Sequence, residues 1–250
     1  MTTLLLTATI APSHDAPQLS LSDPAERLSQ YRDALVYYLT TPGPGWTILF
    51  VDNSSYPLDT LRSAAKNNGR EDRPVHFLSY ASEVPAAWGK GRGEVALIEK
   101  ALDHFADLLP RDEPVWKITG RHKVRNIGRL VDTQPPDVKV YADFRSVPLV
   151  GNRFFGNHWT DTQVIAFTPD GYDAYIRQTW PESSFVLEQR IFQTLQPHLH
   201  ERREIVPRLR LSPIIEGTNA ASGKIYGAGK DRVLTMLRSV SRTVAPWLWI

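Results

Sequence analysis

Cysteine is absent from this 250-residue chain, which removes disulfides, thiolate-held metals and a cysteine nucleophile together. Metal ligation is left to histidine and carboxylates, and the composition suits a reducing cytosol. Long apolar runs are missing too. The opening MTTLLLTATIAP holds about seven apolar residues with no basic stretch ahead of them, so it reads as a buried strand and not as a secretory leader. No run reaches the roughly 18 residues that a spanning helix needs, and a cytoplasmic protein is expected. An excess of one charge sign is also lacking. Lys plus Arg number 29 against 27 for Asp plus Glu, too near balance for a nucleic-acid-coating protein, so any anion site must come from local placement.

What is present begins with TLLLTATI over residues 3–10, an apolar and β-branched run that stops at Ala11-Pro12, as a central strand does. Ser22-Asp23-Pro24 offers a cap and a first-turn proline ahead of Leu28, Tyr31, Leu35 and Tyr38, which share one helical face. Trp46–Val51 predicts a second strand, Leu58–Lys66 a second helix and Val75–Tyr80 a third strand. Val95, Ile98, Leu102 and Phe105 recur at helical spacing and predict a helix over Gly93–Leu109, followed by a fourth strand, Val115–Thr119. Alternating strands and helices imply an α/β chain with a mainly parallel sheet and right-handed crossovers. Beyond residue 130 the pattern loosens. Strands are expected over Val138–Phe144 and Asp161–Phe167, helices over Tyr172–Thr179 and Phe185–Leu195, and extended chain over Ile205–Ile215.

Two glycine-cation clusters stand out. In GKGRGE, residues 89–94, Lys90 and Arg92 alternate with glycines where a loop runs into a helix. Free N–H groups and the positive end of the helix dipole favour an anion there. The order is neither a Walker A loop nor a dinucleotide fingerprint, and a solvated flexible turn accounts for it equally well. The second cluster, KITGRHK over 117–123, leaves the fourth strand and should open on the same rim of the sheet. Asp52 and Asn53, ending the second strand, would lie there as well, facing a base or ribose hydroxyls or forming an ordinary Asx turn. A nucleotide fits the set.

Taken in order, LLLTATIAP, RLSQY, ILFVDNSS, GKGRGEVALIEKAL, VWKITGRHKVRN and YADFR resemble bacterial glycosyltransferases of polysaccharide and lipopolysaccharide biosynthesis. These are GT-A-like enzymes that carry a K-G-x-G-E and a K-x-T-G-R-Y element. The resemblance spans about residues 3–230 and implies a Rossmann-type sheet in a single domain over 1–250. Residues 1–130 would bind the nucleotide and 131–250 shape the acceptor side. It further implies that Thr7, Thr9, Asp52 and Asn53 line the nucleoside pocket and that Lys90, Gly91, Arg92 and Gly93 approach the diphosphate. Thr119, Gly120 and Arg121 would stand by the leaving group. His122 replaces the family's tyrosine. The donor would be a nucleotide sugar, UDP-linked, and the acceptor a glycan or lipid-linked hydroxyl.

The Asp-x-Asp element with which many such enzymes hold Mn²⁺ or Mg²⁺ is missing, so fixed cations are expected to do the metal's work, and no cofactor is required. Asp143, Asp161 and His158 are the remaining candidate ligands. An inverting transfer needs a carboxylate to take the acceptor proton. Glu188 in SSFVLEQRIF is the candidate, among apolar neighbours that would raise its pKa, with Asp143 and Asp161 as rivals. Trp159 is the candidate acceptor contact. Residues 216–230, with Lys224 and Tyr226, read as a loop closing over the diphosphate. The basic and aromatic end of the chain would either lie on the inner face of a membrane or dock on its own domain. The alternative function is a nucleotide- or phosphosugar-binding protein without transferase activity.

Overall fold

The computed structural model describes residues 2–13, 20–146, 157–178, 180–199, 201–218, 225–226, 238–242 and 244. Its first strand, β1 (Thr3–Ala8), is buried along its whole length. A proline-started helix, α1 (Pro24–Thr40), follows, capped by Asp23, whose carboxylate accepts from the Ala25 and Glu26 N–H groups. Then come β2 (Thr47–Asp52), α2 (Asp59–Asn68), β3 (Val75–Ser79), α3 (Gly89–His104) and β4 (Val115–Thr119). β1 pairs in parallel with β2 and β4, and β2 with β3.

The rest of the chain extends this sheet past β4. It contains β5 (Lys123–Val124), α4 (Ile127–Asp132), β6 (Val140–Tyr141), β7 (Phe144–Arg145), β8 (Trp159–Thr160), β9 (Val164–Phe167), α5 (Pro169–Tyr175), α6 (Leu187–Leu195), β10 (Ile205–Val206), β11 (Ile215–Thr218) and β12 (Ile225–Tyr226). The central sheet has seven strands in the order β10-β6-β9-β4-β1-β2-β3. Only β9 runs against its neighbours. This is the helix-flanked, mainly parallel α/β sheet expected from the sequence.

Alternation along the strands sends side chains to two cores. Leu4, Leu6, Phe50, Trp116 and Ile118 pack against α1 and α2, while Leu5, Leu49, Val51 and Val115 pack against α3 and α6. Several boundaries differ from expectation. The third helix begins at Gly89, so the glycine-cation segment is the first turn and a half of α3 and not a loop. Gly89 has φ +76°, a conformation that side chains strain to adopt. The strand expected over 138–144 is divided at Ala142-Asp143, where Asp143 turns its carboxylate onto Arg242.

One buried cation holds the α1–β2 corner. Arg73 is 1% exposed and donates to the carbonyls of Tyr38, Leu39, Gly43 and Pro44 at 2.8–3.2 Å. Its guanidinium lies 4.1 Å from the Trp46 ring centroid. The last carbonyls of α1 have no partners within the helix, and a cation there also meets the negative end of the dipole. Arg73→Ala is expected to cost about 3 kcal/mol, the scale of losing charged hydrogen bonds and a cation–π contact together. A lower urea midpoint at unchanged m-value measures it.

Candidate functional site

The strand order reverses between β1 and β4, since β1, β2 and β3 run outward on one side while β4 returns on the other. In open α/β sheets the crevice at such a point, beyond the carboxyl ends of the strands, is where ligands bind. A cleft of about 640 Å³ lies there. Thr7 and Ala8 of β1 and Thr119 of β4 form its floor. Lys90, Gly93, Glu94 and Leu97, spaced as one face of α3, form a wall, and Arg27 and Tyr31 of α1 stand opposite.

The charges are arranged for an anion. Among the described residues, Arg27, Lys90 and Arg121 line the cleft with a single acid, Glu94. No side chain caps the N-terminus of α3; the Gly89 N–H is taken by the Ala86 carbonyl, and the later first-turn N–H groups and the dipole add to the positive field. Arg27 is buried and stitches the chain after β1, donating to the carbonyls of Thr9 (2.7 Å) and Leu21 (3.0 Å) and to the Tyr31 hydroxyl (3.3 Å). Arg121 reaches the cleft because Gly120 crosses β1 closely. The Gly120 N–H donates to the Thr7 carbonyl at 2.8 Å, and a Cβ at that position would stand 2.8 Å from the same oxygen. Arg121 Nη1 also donates to the Thr218 carbonyl on β11 at 2.5 Å.

Behind the α3 wall lies a buried polar relay. Lys117, fully buried in β4, engages Glu94 directly and donates to the Thr162 carbonyl at 2.6 Å. The Thr162 hydroxyl donates to Glu188 Oε1 at 3.5 Å. The two carboxylates are displaced in opposite directions. Burial would raise Glu94, but Lys117, Lys90 and Arg121 outweigh it and hold the group below the usual glutamate range. Glu188, in the first turn of α6, is raised, chiefly by burial and then by the charges of Glu94 and Asp161.

Among the site residues expected from sequence, Thr7, Thr9, Asn53, Lys90, Gly93, Thr119 and Arg121 all line this one cleft. Thr9 Oγ1 donates to Asn53 Oδ1 at 2.7 Å, fixing the amide. Others stand elsewhere. Asp52 is fully buried, and its carboxylate is consumed by the Ile10, Ser54 and Tyr56 N–H groups and the Ser54 and Ser79 hydroxyls. It is a structural Asx staple and not a nucleoside contact. Gly91 faces α6, where a Cβ would meet the Phe185 carbonyl at 2.7 Å. Its role is helix packing and not diphosphate approach. Arg92 lies off the cleft, with its guanidinium 5.9 Å from the Trp88 ring centroid.

Asp143, a candidate base by sequence, is likewise committed within the fold. Both its oxygens are held by Arg242 at 2.6–2.8 Å, in a pair buried on both sides. Asp161 is held by Arg145 at 2.7 Å. Both rival carboxylates are thus engaged within the fold. Among the described residues no three His, Asp or Glu side chains gather to hold an ion. His158 instead stacks on Phe192. Trp159 pairs with Arg145 across β7 and β8. Tyr226 accepts from Gln163 Nε2 at 3.0 Å and meets His122 edge-on, outside the cleft. Lys224 and much of the 216–230 segment and the basic tail lie outside the described residues. No helix among the described residues is long and apolar enough to cross a membrane.

Sequence reasoning missed Arg27, Glu94 and Lys117. Each had a signal: Arg27 falls on the apolar stripe of α1, Glu94 follows Lys90 by one helical turn, and Lys117 interrupts an otherwise apolar strand.

His122 is also buried. Burial first, and then the Arg121 guanidinium, push its pKa down to about 3 from 6.5, so it folds neutral. Between those values the unfolded chain binds the extra proton, and stability must fall as pH is lowered through that window. His122→Phe is expected to flatten this dependence relative to the parent chain, and urea midpoints measured between about pH 7 and pH 4 test it.

No family model and no curated protein matches the chain. Among solved structures it is similar to the mannosyltransferase PcManGT from Pyrobaculum calidifontis in complex with GDP-Man and Mn²⁺, at 14% identity and TM-score 0.45, over 82% of this chain and 54% of that one. It thus spans about half the length of that enzyme. Mouse xyloside xylosyltransferase 1, apo form, is similar at 11% identity and TM-score 0.42 over 82% of each chain. HddC from Yersinia pseudotuberculosis is similar at 12% identity and TM-score 0.32, over 75% and 82% of the two chains. Likenesses this distant carry no conclusion about what the chain binds, and the functional reading rests on the cleft and on the sequence motifs.

Proposed function

We propose that the chain is a GT-A-like glycosyltransferase that moves a sugar from a nucleotide donor to an acceptor hydroxyl. The observation that carries this reading is the convergence of Arg27, Lys90, Arg121 and the uncapped α3 N-terminus on one cleft at the β1–β4 switch point. A nucleoside diphosphate is the ligand whose charge and length suit it. The motif resemblance supports the finer reading: a UDP-linked donor, a glycan or lipid-linked acceptor, and a place in bacterial surface polysaccharide synthesis.

The chemistry follows from the charges. As the bond from the anomeric carbon to the diphosphate oxygen breaks, negative charge grows on the leaving group, and the three cations are placed to stabilise it. The acceptor oxygen bonds to the anomeric carbon from the opposite face and loses its proton; Glu188, which does not itself line the cleft, is the base proposed for this inverting displacement and must reach the acceptor from beyond the α3 wall. A carboxylate with a raised pKa is a stronger base than an ordinary surface glutamate.

A melting-temperature screen against nucleoside diphosphates and nucleotide sugars, with Mn²⁺ or with EDTA, tests the binding claim. Stabilisation of the native chain is expected. Lys90→Ala and Arg121→Ala should each weaken binding by about 10- to 100-fold, the worth of a charged hydrogen bond, while Arg92→Ala leaves it unchanged. No response to any nucleotide would remove the assignment.

Glu188→Gln should bind donor normally and lose turnover by about 10²-fold or more. The acid limb of native kcat/KM should lie above the ordinary glutamate value of 4.5 and disappear in this variant. Binding without turnover from any donor, even with acceptor extract, would leave a nucleotide-binding protein instead.

A further inference from the structure

Glu94 is the anomaly of the cleft, a carboxylate on the wall of an anion site. It lies one turn beyond Lys90 on α3, facing the cleft that also holds Arg121. Lys117 engages one of its oxygens, Oε1. Among the described residues no hydrogen bond reaches Oε2, and that oxygen is not one of the enclosed polar atoms left without a partner. It is therefore open to the cleft. An ionised carboxylate only accepts hydrogen bonds, so a ligand seated here must bring an O–H or N–H donor alongside its negative charge. A fully ionised phosphate or diphosphate offers none and meets like-charge repulsion at close range.

On the reading of the cleft as a nucleotide-sugar site, we propose that Glu94 is a specificity-determining residue. Its free oxygen accepts a hydrogen bond from a ligand hydroxyl, on the ribose or on the transferred sugar, and disfavours ligands that offer phosphate alone. Lys117 is the positioning residue behind it. By holding Oε1 from inside the sheet it keeps Oε2 turned outward, while its second bond, to the Thr162 carbonyl, anchors the ammonium.

The test compares binding of inorganic diphosphate, UDP and GDP, and UDP-glucose and GDP-mannose to the native chain and to Glu94→Gln. Preference for the better nucleotide sugar over inorganic diphosphate is expected to fall at least about tenfold in the variant, on the scale of one charge-assisted hydrogen bond. A hydroxyl on the ribose lowers the preference for the nucleoside diphosphates too, and one on the sugar lowers it for the nucleotide sugars alone. If Glu94→Gln leaves Lys117 unpaired and the chain fails to fold, Glu94→Gln with Lys117→Met removes both charges and is read in the same way. A parallel change for every ligand, leaving the preference intact, overturns the proposal while the donor-site reading stands. A native chain that binds none of the nucleotides overturns both.

Discussion

Lys117 and Glu94 form a charge pair between the middle of a central strand and the wall of the ligand cleft, and much of the site depends on it. An ammonium buried inside a parallel sheet is tolerable only with a close counter-charge and further hydrogen bonds. Glu94 supplies the first and the Thr162 carbonyl the second. The pair therefore ties α3, which packs over β1 and β2, to β4 as well. On the far side the same lysine, through Thr162, bears on Glu188 at the start of α6. One cation thus couples the wall proposed to meet the donor to the carboxylate proposed to act on the acceptor.

The glycines divide by the same geometry. Gly120 lets the segment after β4 pass close over β1 and deliver Arg121. Gly89 turns the chain into α3 with a positive φ. Gly91 lets α3 and α6 approach and so brings the two glutamates into one electrostatic neighbourhood. None of the three needs to touch a phosphate to matter for the site. Gly89 and Gly91 of the GKGRGE segment thus act through backbone conformation and helix packing, while the positive charge that the segment turns to the cleft comes from Lys90.

The opposed displacement of the two glutamates separates their tasks. A carboxylate surrounded by Lys117, Lys90 and Arg121 stays an anion and serves as a fixed acceptor. One raised mainly by burial is the better proton acceptor near neutrality. On the proposed reading, the guanidinium and ammonium groups lining the cleft would balance a departing diphosphate, because their charges are in position before the bond breaks.

Strands and helices of the first half were legible in the sequence because each depends on local periodicity. TLLLTATI had to be buried on both faces, and Asp23-Pro24 had to start a helix. The two glycine-cation motifs were visible as well, as was their placement at the ends of strands on one rim. Which side chains enter the cleft was decided only by tertiary structure. A helix beginning at Gly89 instead of Gly93 turns Lys90 and Glu94 toward the cleft and Arg92 away from it, a matter of about 100° per residue that no composition records. Asp52 and Asp143 carried the right chemistry in the right order. Their fate depended on partners 42 residues away at Ile10 and 99 residues away at Arg242, since a carboxylate satisfied inside the fold has nothing left to offer a ligand.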